Sequence, residues 1–242
     1  MSINTHYTQP PLPNYYPSQQ ANSDRTTSAP VHNRNKRGSA STKKLWPQNS
    51  VIKIGLVGMS KDQEKLVKDS INKWQPYVNL KFEFTAKPEE ATVRVQMDST
   101  LPKGEGWAWI GTDSTKYPDN TAHVTISSNG SSEEIESATL HEWGHVLGLE
   151  HEHERAHIIQ KPHPDKEGLT LNLDGSLISG PLDENSVMYY KFTYNEKGEK
   201  EFAVQEISEE DKKFVSTLYP PTRKFRPFLS QTSETLKKET AK

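Results

Sequence analysis

The run HEWGHVLGLEHEHER, residues 141 to 155, places four histidines and four glutamates in fifteen positions. Such a run can be a plain solvated surface, but here the spacing argues for metal chemistry. His141 and His145 are four apart, one helical turn along and about 40° apart in projection, so both rings can converge on one ion. Glu142 lies beside that face, where it can reach a water on the metal without ligating it. H-E-x-x-H on a helix is the arrangement of zinc-assisted hydrolysis. Gly148 sits where the helix must end, and glycine turns through the left-handed region without strain. The chain can then reverse and return His151 as a third ligand. Three neutral imidazoles with an open fourth position describe a catalytic rather than a structural zinc. The bland alternative, a coincidental His/Glu-rich surface helix, does not account for the glycine turn. His153 and His157 read as solvated or as supporting the ligands by hydrogen bonds. His123 reads as a satisfied strand residue, and His6, His32 and His163 carry no signal.

The elements that must position these residues are legible on either side. Val51 to Val57 is a β-rich run, and Ser60-x-x-Gln63 is a capping-box signature. Leu66, Val67, Ile71, Trp74 and Val78 follow at helical spacing. Leu80 to Phe84 and Ala91 to Met97 alternate as strands, the second with Val93, Val95 and Met97 on one face. Trp107 to Ile110 and His123 to Ile126 are two further short strands around a turn-rich loop. A second capping box, Ser131-x-x-Glu134, opens the helix that runs into the histidines. Ser208 to Leu218 is a last amphipathic helix, stopped by Pro220 and Pro221. This order predicts an α+β domain with a mixed sheet, followed by a loop-rich part.

Composition bounds what surrounds that domain. The 242 residues are only 31% hydrophobic, with a mean hydropathy of -0.87, low for a chain folded throughout. Residues 1–44 are rich in Pro, Ser, Asn, Gln and Thr and read as a disordered extension; 45–221 hold the domain; 222–242 form a polar basic tail, where Phe225, Phe228 and Leu229 could dock. Residues 1–44 carry six basic side chains against Asp24, and 222–242 six against Glu234 and Glu239. The tails are therefore +5 and +4, and the body between them -11, within a whole of -2. An acidic body with basic tails speaks against nucleic-acid binding and for attraction to basic peptides. Cysteine is absent, so any metal is held by nitrogen and oxygen. No stretch is long and apolar enough to span a membrane. The N-terminus lacks the apolar core of a Sec signal. A secreted protein leaving by a leaderless route is the expectation, with a cytoplasmic one as the alternative.

With these residues placed, the chain resembles the astacin family of metzincin zinc endopeptidases. The family signature H-E-x-x-H-x-x-G-x-x-H-E-x-x-R fits His141 through Arg155 at every fixed position, with Glu152 as the residue that separates astacins from other metzincins. Ser186-Val187-Met188-Tyr189-Tyr190 is similar to the family's Met-turn, S-[IV]-M-x-Y. LWPQNSVIKI (45–54) looks like the start of the mature domain, GWAWIGT (106–112) like the substrate-binding edge strand, and SEEDKKFVSTLYP (208–220) like the closing helix. The resemblance implies a mixed, mostly parallel five-stranded sheet with an antiparallel edge strand, an active-site helix, and a loop-rich C-terminal subdomain ending in a helix. It implies zinc on His141, His145 and His151, Glu142 as general base and then acid, and Met188 as an apolar floor. It also makes Tyr190 a donor to the oxyanion. Trp107, Trp109 and Gly111 would lie along an extended protein or peptide substrate, although the tryptophans could equally be the core and surface faces of a strand. A monomer is expected. The alternative activity is a catalytically silent relative that uses the same cleft to bind peptides; intact Glu142 speaks against it. A metal-binding protein with no hydrolytic role is the other rival, against which Met188 and Tyr190 count.

Three features depart from the family pattern. The two usual disulfides cannot form. Ala156 and His157 stand where an aspartate normally follows Arg155. Asp24 is the only aspartate before the domain, and it lacks the F-x-G-D context of the usual inhibitory prodomain.

Overall fold

The computed structural model describes residues 38–117, 121–152, 160–162, 170–172, 176–179, 182–198 and 200–220. The first strand, β1 (Gly38–Ser41), starts ahead of Leu45. Its sequence, GSAS, has no strand signature; pairing with the rest of the chain makes it one. Ser41 N–H donates to the Gly148 carbonyl (3.0 Å) and Glu150 N–H to that of Ser39 (2.9 Å), while Ala40 is buried in the core.

The N-terminal sheet is built from β2 (Val51–Val57), β3 (Lys81–Thr85), β4 (Val93–Asp98), β5 (Gly106–Ala108) and β6 (Val124–Ser127), in the order β3-β2-β4-β6-β5. Pairs β2–β3, β2–β4 and β4–β6 are parallel, and β5 is antiparallel to β6 with Trp107 opposite Thr125. That is the expected mostly parallel sheet with an antiparallel edge. Alternation puts Ile52, Ile54, Val93, Val95, Val124 and Ile126 in the core. Arg94, between two core valines, is also buried; its Nε donates to the Thr121 carbonyl (2.8 Å) and its Nη1 to that of Ala91 (3.0 Å).

Helices α1 (Lys61–Asn72) and α2 (Ser132–Val146) pack on each other. Both open with the reciprocal capping boxes expected at Ser60/Gln63 and Ser131/Glu134. Trp74, just past α1, is fully buried and donates from Nε1 to the Leu140 carbonyl (3.2 Å). Phe82 meets Trp143 of α2 edge-on at 5.3 Å, a favourable aromatic geometry.

The C-terminal half holds more strand than its sequence suggests. Strands β7 (Gln160–Pro162), β8 (Thr170–Asn172) and β9 (Ser176–Ser179) join β1 in an antiparallel sheet ordered β1-β9-β8-β7, and β10 (Phe192–Tyr194) pairs with β11 (Lys200–Phe202) as a hairpin. Helix α3 (Glu209–Leu218) closes the body behind a third capping box, Ser208/Asp211. Among the described residues no helix is long and apolar enough to cross a membrane. Tyr219, immediately after α3, is fully buried; its hydroxyl accepts from Trp46 N–H (3.1 Å) and donates to the Leu147 carbonyl (2.8 Å). It thereby ties the start of the domain and the end of α2 to its last helix. Tyr219→Phe leaves both buried partners unsatisfied, and urea unfolding is expected to show a loss of about 1–3 kcal/mol.

Candidate active site

The last two turns of α2 carry His141, Glu142 and His145, all buried. The helix stops because Gly148 turns at φ +90°, with its N–H donating to the His145 carbonyl (2.8 Å). A side chain there would be strained by that φ and would press on Leu45. The reversed chain brings His151 back, as the spacing predicts. Ligand-type nitrogens of His141, His145 and His151 lie within 4.8 Å of one another, and all three residues are buried. His145 Nε2 and His151 Nε2 are 3.0 Å apart.

Backbone carbonyls fix the ring orientations. His141 Nδ1 lies 2.7 Å from the Val187 carbonyl and His145 Nδ1 2.9 Å from that of Leu149. A carbonyl can only accept, so both Nδ1 atoms carry the proton, and in the neutral imidazoles that bind metal both Nε2 atoms keep a lone pair. A site lined by converging nitrogen lone pairs, without thiolates, suits zinc.

The Met-turn lies beneath. Met188 is buried, and its sulfur occupies the space that a Cβ on Gly144 would need. The turn's backbone serves both ends of the ligand set: Val187 offers its carbonyl to His141, and Met188 accepts from Glu152 N–H (2.9 Å). Two buried aspartates absent from the sequence reading hold this turn. Asp211 accepts from Ser186 Oγ (2.6 Å), Val187 N–H (2.9 Å) and Ser208 N–H (3.0 Å). Burial raises its carboxyl above the ordinary range, opposed by those hydrogen bonds. Asp183 accepts from Ser208 Oγ (2.8 Å), and its N–H donates to Glu152 Oε1 (3.0 Å). The signal available was the S-x-x-D capping box at Ser208, which places Asp211 at a fixed point near the turn.

Glu142 Oε2 is buried with no hydrogen-bond partner among the described residues. Burial alone pushes this carboxyl up to about 8, and a nearby cation would oppose that shift. Gly106 of β5 sits against it: a Cβ there would lie 2.7 Å from Glu142 Cγ. Trp107 is on β5 and half-buried, whereas Trp109 lies past the strand and stacks on Tyr117 at 4.2 Å. Gly111 does not lie on the edge strand. It begins the following 3-10 turn at φ +54°, where any side chain would run into the Lys44 backbone, so this glycine serves chain packing.

Tyr190 stacks on His141, with centroids 5.0 Å apart at 20°, and leans on His151 at 4.6 Å. His123 lies away from the cluster, buried and bonded to Arg94 N–H through Nδ1 (3.0 Å). Burial, with the Arg94 charge adding, pushes its pKa down to about 3, which keeps it a neutral strand residue. His6, His32, His153, His157 and His163 lie outside the described residues, as do Asp24, the Arg155–His157 corner and the C-terminal tail.

The sequence profile of the peptidase family described as Astacin matches residues 38–161, just over half of the chain. The chain belongs to the astacin family. It is a zinc metalloendopeptidase of the metzincin type, with protein substrates. Two solved structures of myroilysin share the fold: one at 23% identity and TM-score 0.60, covering 76% of this chain and 98% of that one, the other at 22% and 0.55, covering 73% and 86%. No curated protein matches the sequence. The astacin match begins at Gly38, the first residue of β1.

Glu142→Gln is expected to abolish peptidase activity while metal analysis still finds about one zinc per chain, since three imidazoles remain. His151→Ala is expected to lower both zinc affinity and thermal stability, because the third ligand ties the reversed chain to α2. Unchanged zinc content in that variant would transfer the ligand role to another histidine.

Proposed function

We propose that β5 is the strand on which an extended peptide is laid for cleavage, with Glu142 and Tyr190 as the catalytic residues. The observation that carries this reading is the contact between Gly106 and Glu142. Strand β5 is the edge of its sheet, so it can accept one more strand by backbone pairing. Because Gly106 has no side chain, that edge passes directly over Glu142. A carbonyl of the added strand would then be brought to the base and the imidazoles together.

Bound zinc supplies Lewis acidity, to the attacking water and to the scissile carbonyl. Glu142 takes the water's proton and later delivers it to the leaving amine, general base turned general acid. The Tyr190 hydroxyl donates to the oxyanion, a contribution of roughly 10²–10³ in rate for a donor of this kind.

The wider reading extends beyond the site. The chain acts as a monomer, delivered outside the cell, and its basic first 37 residues are drawn to the acidic body and restrain access to the cleft. The Arg34-Asn35-Lys36-Arg37 run is the processing site. Cleavage after Arg37 would spare β1, whereas a cut at Lys44 would remove it.

Tyr190→Phe is expected to lower kcat with KM nearly unchanged, since the hydroxyl matters most as negative charge develops, and Tyr189→Phe to be close to neutral. Equal losses in both would shift the Met-turn register. Removing residues 1–37 is expected to raise turnover of a short quenched peptide several-fold, with the full-length chain gaining more from added salt. Identical kinetics at low and high salt would leave the segment without an inhibitory role.

A further inference from the structure

A phenol used as an oxyanion donor must be held in place. Its hydroxyl lies at the far end of a long side chain, so a modest rotation carries the oxygen out of the 2.7–3.1 Å window in which it is effective. Tyr190 touches the ligand rings, but those contacts fix only part of the ring. A further aromatic contact comes from the β10–β11 hairpin. The Phe202 ring lies 5.8 Å from the Tyr190 ring at 53°, within the range of attractive aromatic pairs. Lys200 stands over the same group, its Nζ 5.7 Å from the Tyr190 centroid, 4.3 Å from Phe202 and 4.2 Å from Phe192.

The hairpin is braced by elements other than Tyr190. Lys103 bridges Glu201 of β11 (3.3 Å) and Glu134 of α2 (3.5 Å), and Asn195 Nδ2 donates to Glu201 (3.3 Å). Next to Lys103, the bare Cα of Gly104 lets Phe202 close in: a Cβ at Gly104 would lie 3.2 Å from Phe202 Cβ. Ala203 N–H donates to the Lys191 carbonyl (2.8 Å), closing the hairpin just after Tyr190. Phe202 is therefore fixed by the rim that leads into β5 and by the first turn of α2. A ring placed this way limits where the Tyr190 phenol can go.

We propose that Phe202, braced through Lys103 and Gly104, is a positioning residue that sets the Tyr190 hydroxyl for the oxyanion. The inference rests on Tyr190 being that donor. The bracing also couples the donor to the substrate edge strand, because Lys103 and Gly104 lie three and two residues ahead of β5. The plain alternative is an aromatic surface cluster around Lys200 that stabilises the hairpin and nothing more. The two differ in one respect: a positioning role disappears when there is no hydroxyl to position.

A double-mutant cycle on the full-length, zinc-loaded chain separates them, with kcat and KM read on a quenched peptide and zinc affinity by chelator competition. Phe202→Ala is expected to lower kcat about tenfold, part of the donor's roughly 10²–10³, with KM and zinc affinity unchanged. In the Tyr190→Phe background the same change is expected to cost less than about twofold. Phe202→Tyr, which keeps the ring, restores kcat. Lys103→Met, which leaves the aromatic cluster intact, gives a smaller loss that also vanishes without the hydroxyl. Equal losses with and without the Tyr190 hydroxyl, or a loss that tracks zinc affinity, would overturn the positioning role while leaving Tyr190 as the donor. A Tyr190→Phe enzyme with undiminished kcat would instead remove the donor reading itself.

Discussion

Two backbone carbonyls govern this molecule. Val187 and Leu149 accept the Nδ1 protons of His141 and His145, which obliges both imidazoles to present lone pairs at Nε2. His145 Nε2 and His151 Nε2 meet at 3.0 Å, a hydrogen bond in which one ring carries the proton, and a bound cation would take that proton's place among the three rings. Metal binding therefore places a demand on the fold, to keep those carbonyls and rings in register.

The demand is met from four parts of the chain. Helix α2 supplies two rings, the Gly148 turn returns the third, and β1 pairs on both sides of Leu149, whose carbonyl orients His145. The Met-turn supplies the other carbonyl and is tied through Asp211 to α3. Without disulfides, this network of buried hydrogen bonds does the cross-linking. Tyr219 does the same between Trp46 and Leu147. Loss of metal and loss of tertiary order are thus coupled, because the same contacts serve both.

The parts legible in the sequence were those governed by local rules. Capping boxes at Ser60 and Ser131, the β-rich run of β2, alternation in β3 and β4, and the i,i+4 histidines each follow from short-range signals, and they give the sheet's core strands, both major helices and two of the ligands. The turn at Gly148 was legible because glycine is the residue that takes such a positive φ without strain. What escaped depends on long-range pairing. GSAS becomes β1 only against Gly148–Glu150 and β9, and strands β7 to β11 are three or four residues long, too short to show a period. Asp211 and Asp183 read as ordinary acidic residues until the fold sets them under the Met-turn. GWAWIGT reads as one extended run through Gly111, whereas the pairing with β6 continues only to Trp109 N–H, which donates to the His123 carbonyl (3.0 Å), and Gly111 opens a turn under Lys44. The contact of Gly106 with Glu142, which brings strand and base together, joins residues far apart along the chain and carries no sequence signature.

The most direct test of the central claim is a zinc titration of the metal-depleted, full-length chain, followed at once by quenched-peptide cleavage and by tryptophan fluorescence, since Trp143 lies on the ligand helix. If three preoriented imidazoles form the catalytic centre, activity and fluorescence rise together and both saturate at about one zinc per chain. Cleavage that persists after the chelator, or a fluorescence change that saturates at one zinc without any activity, would contradict the account.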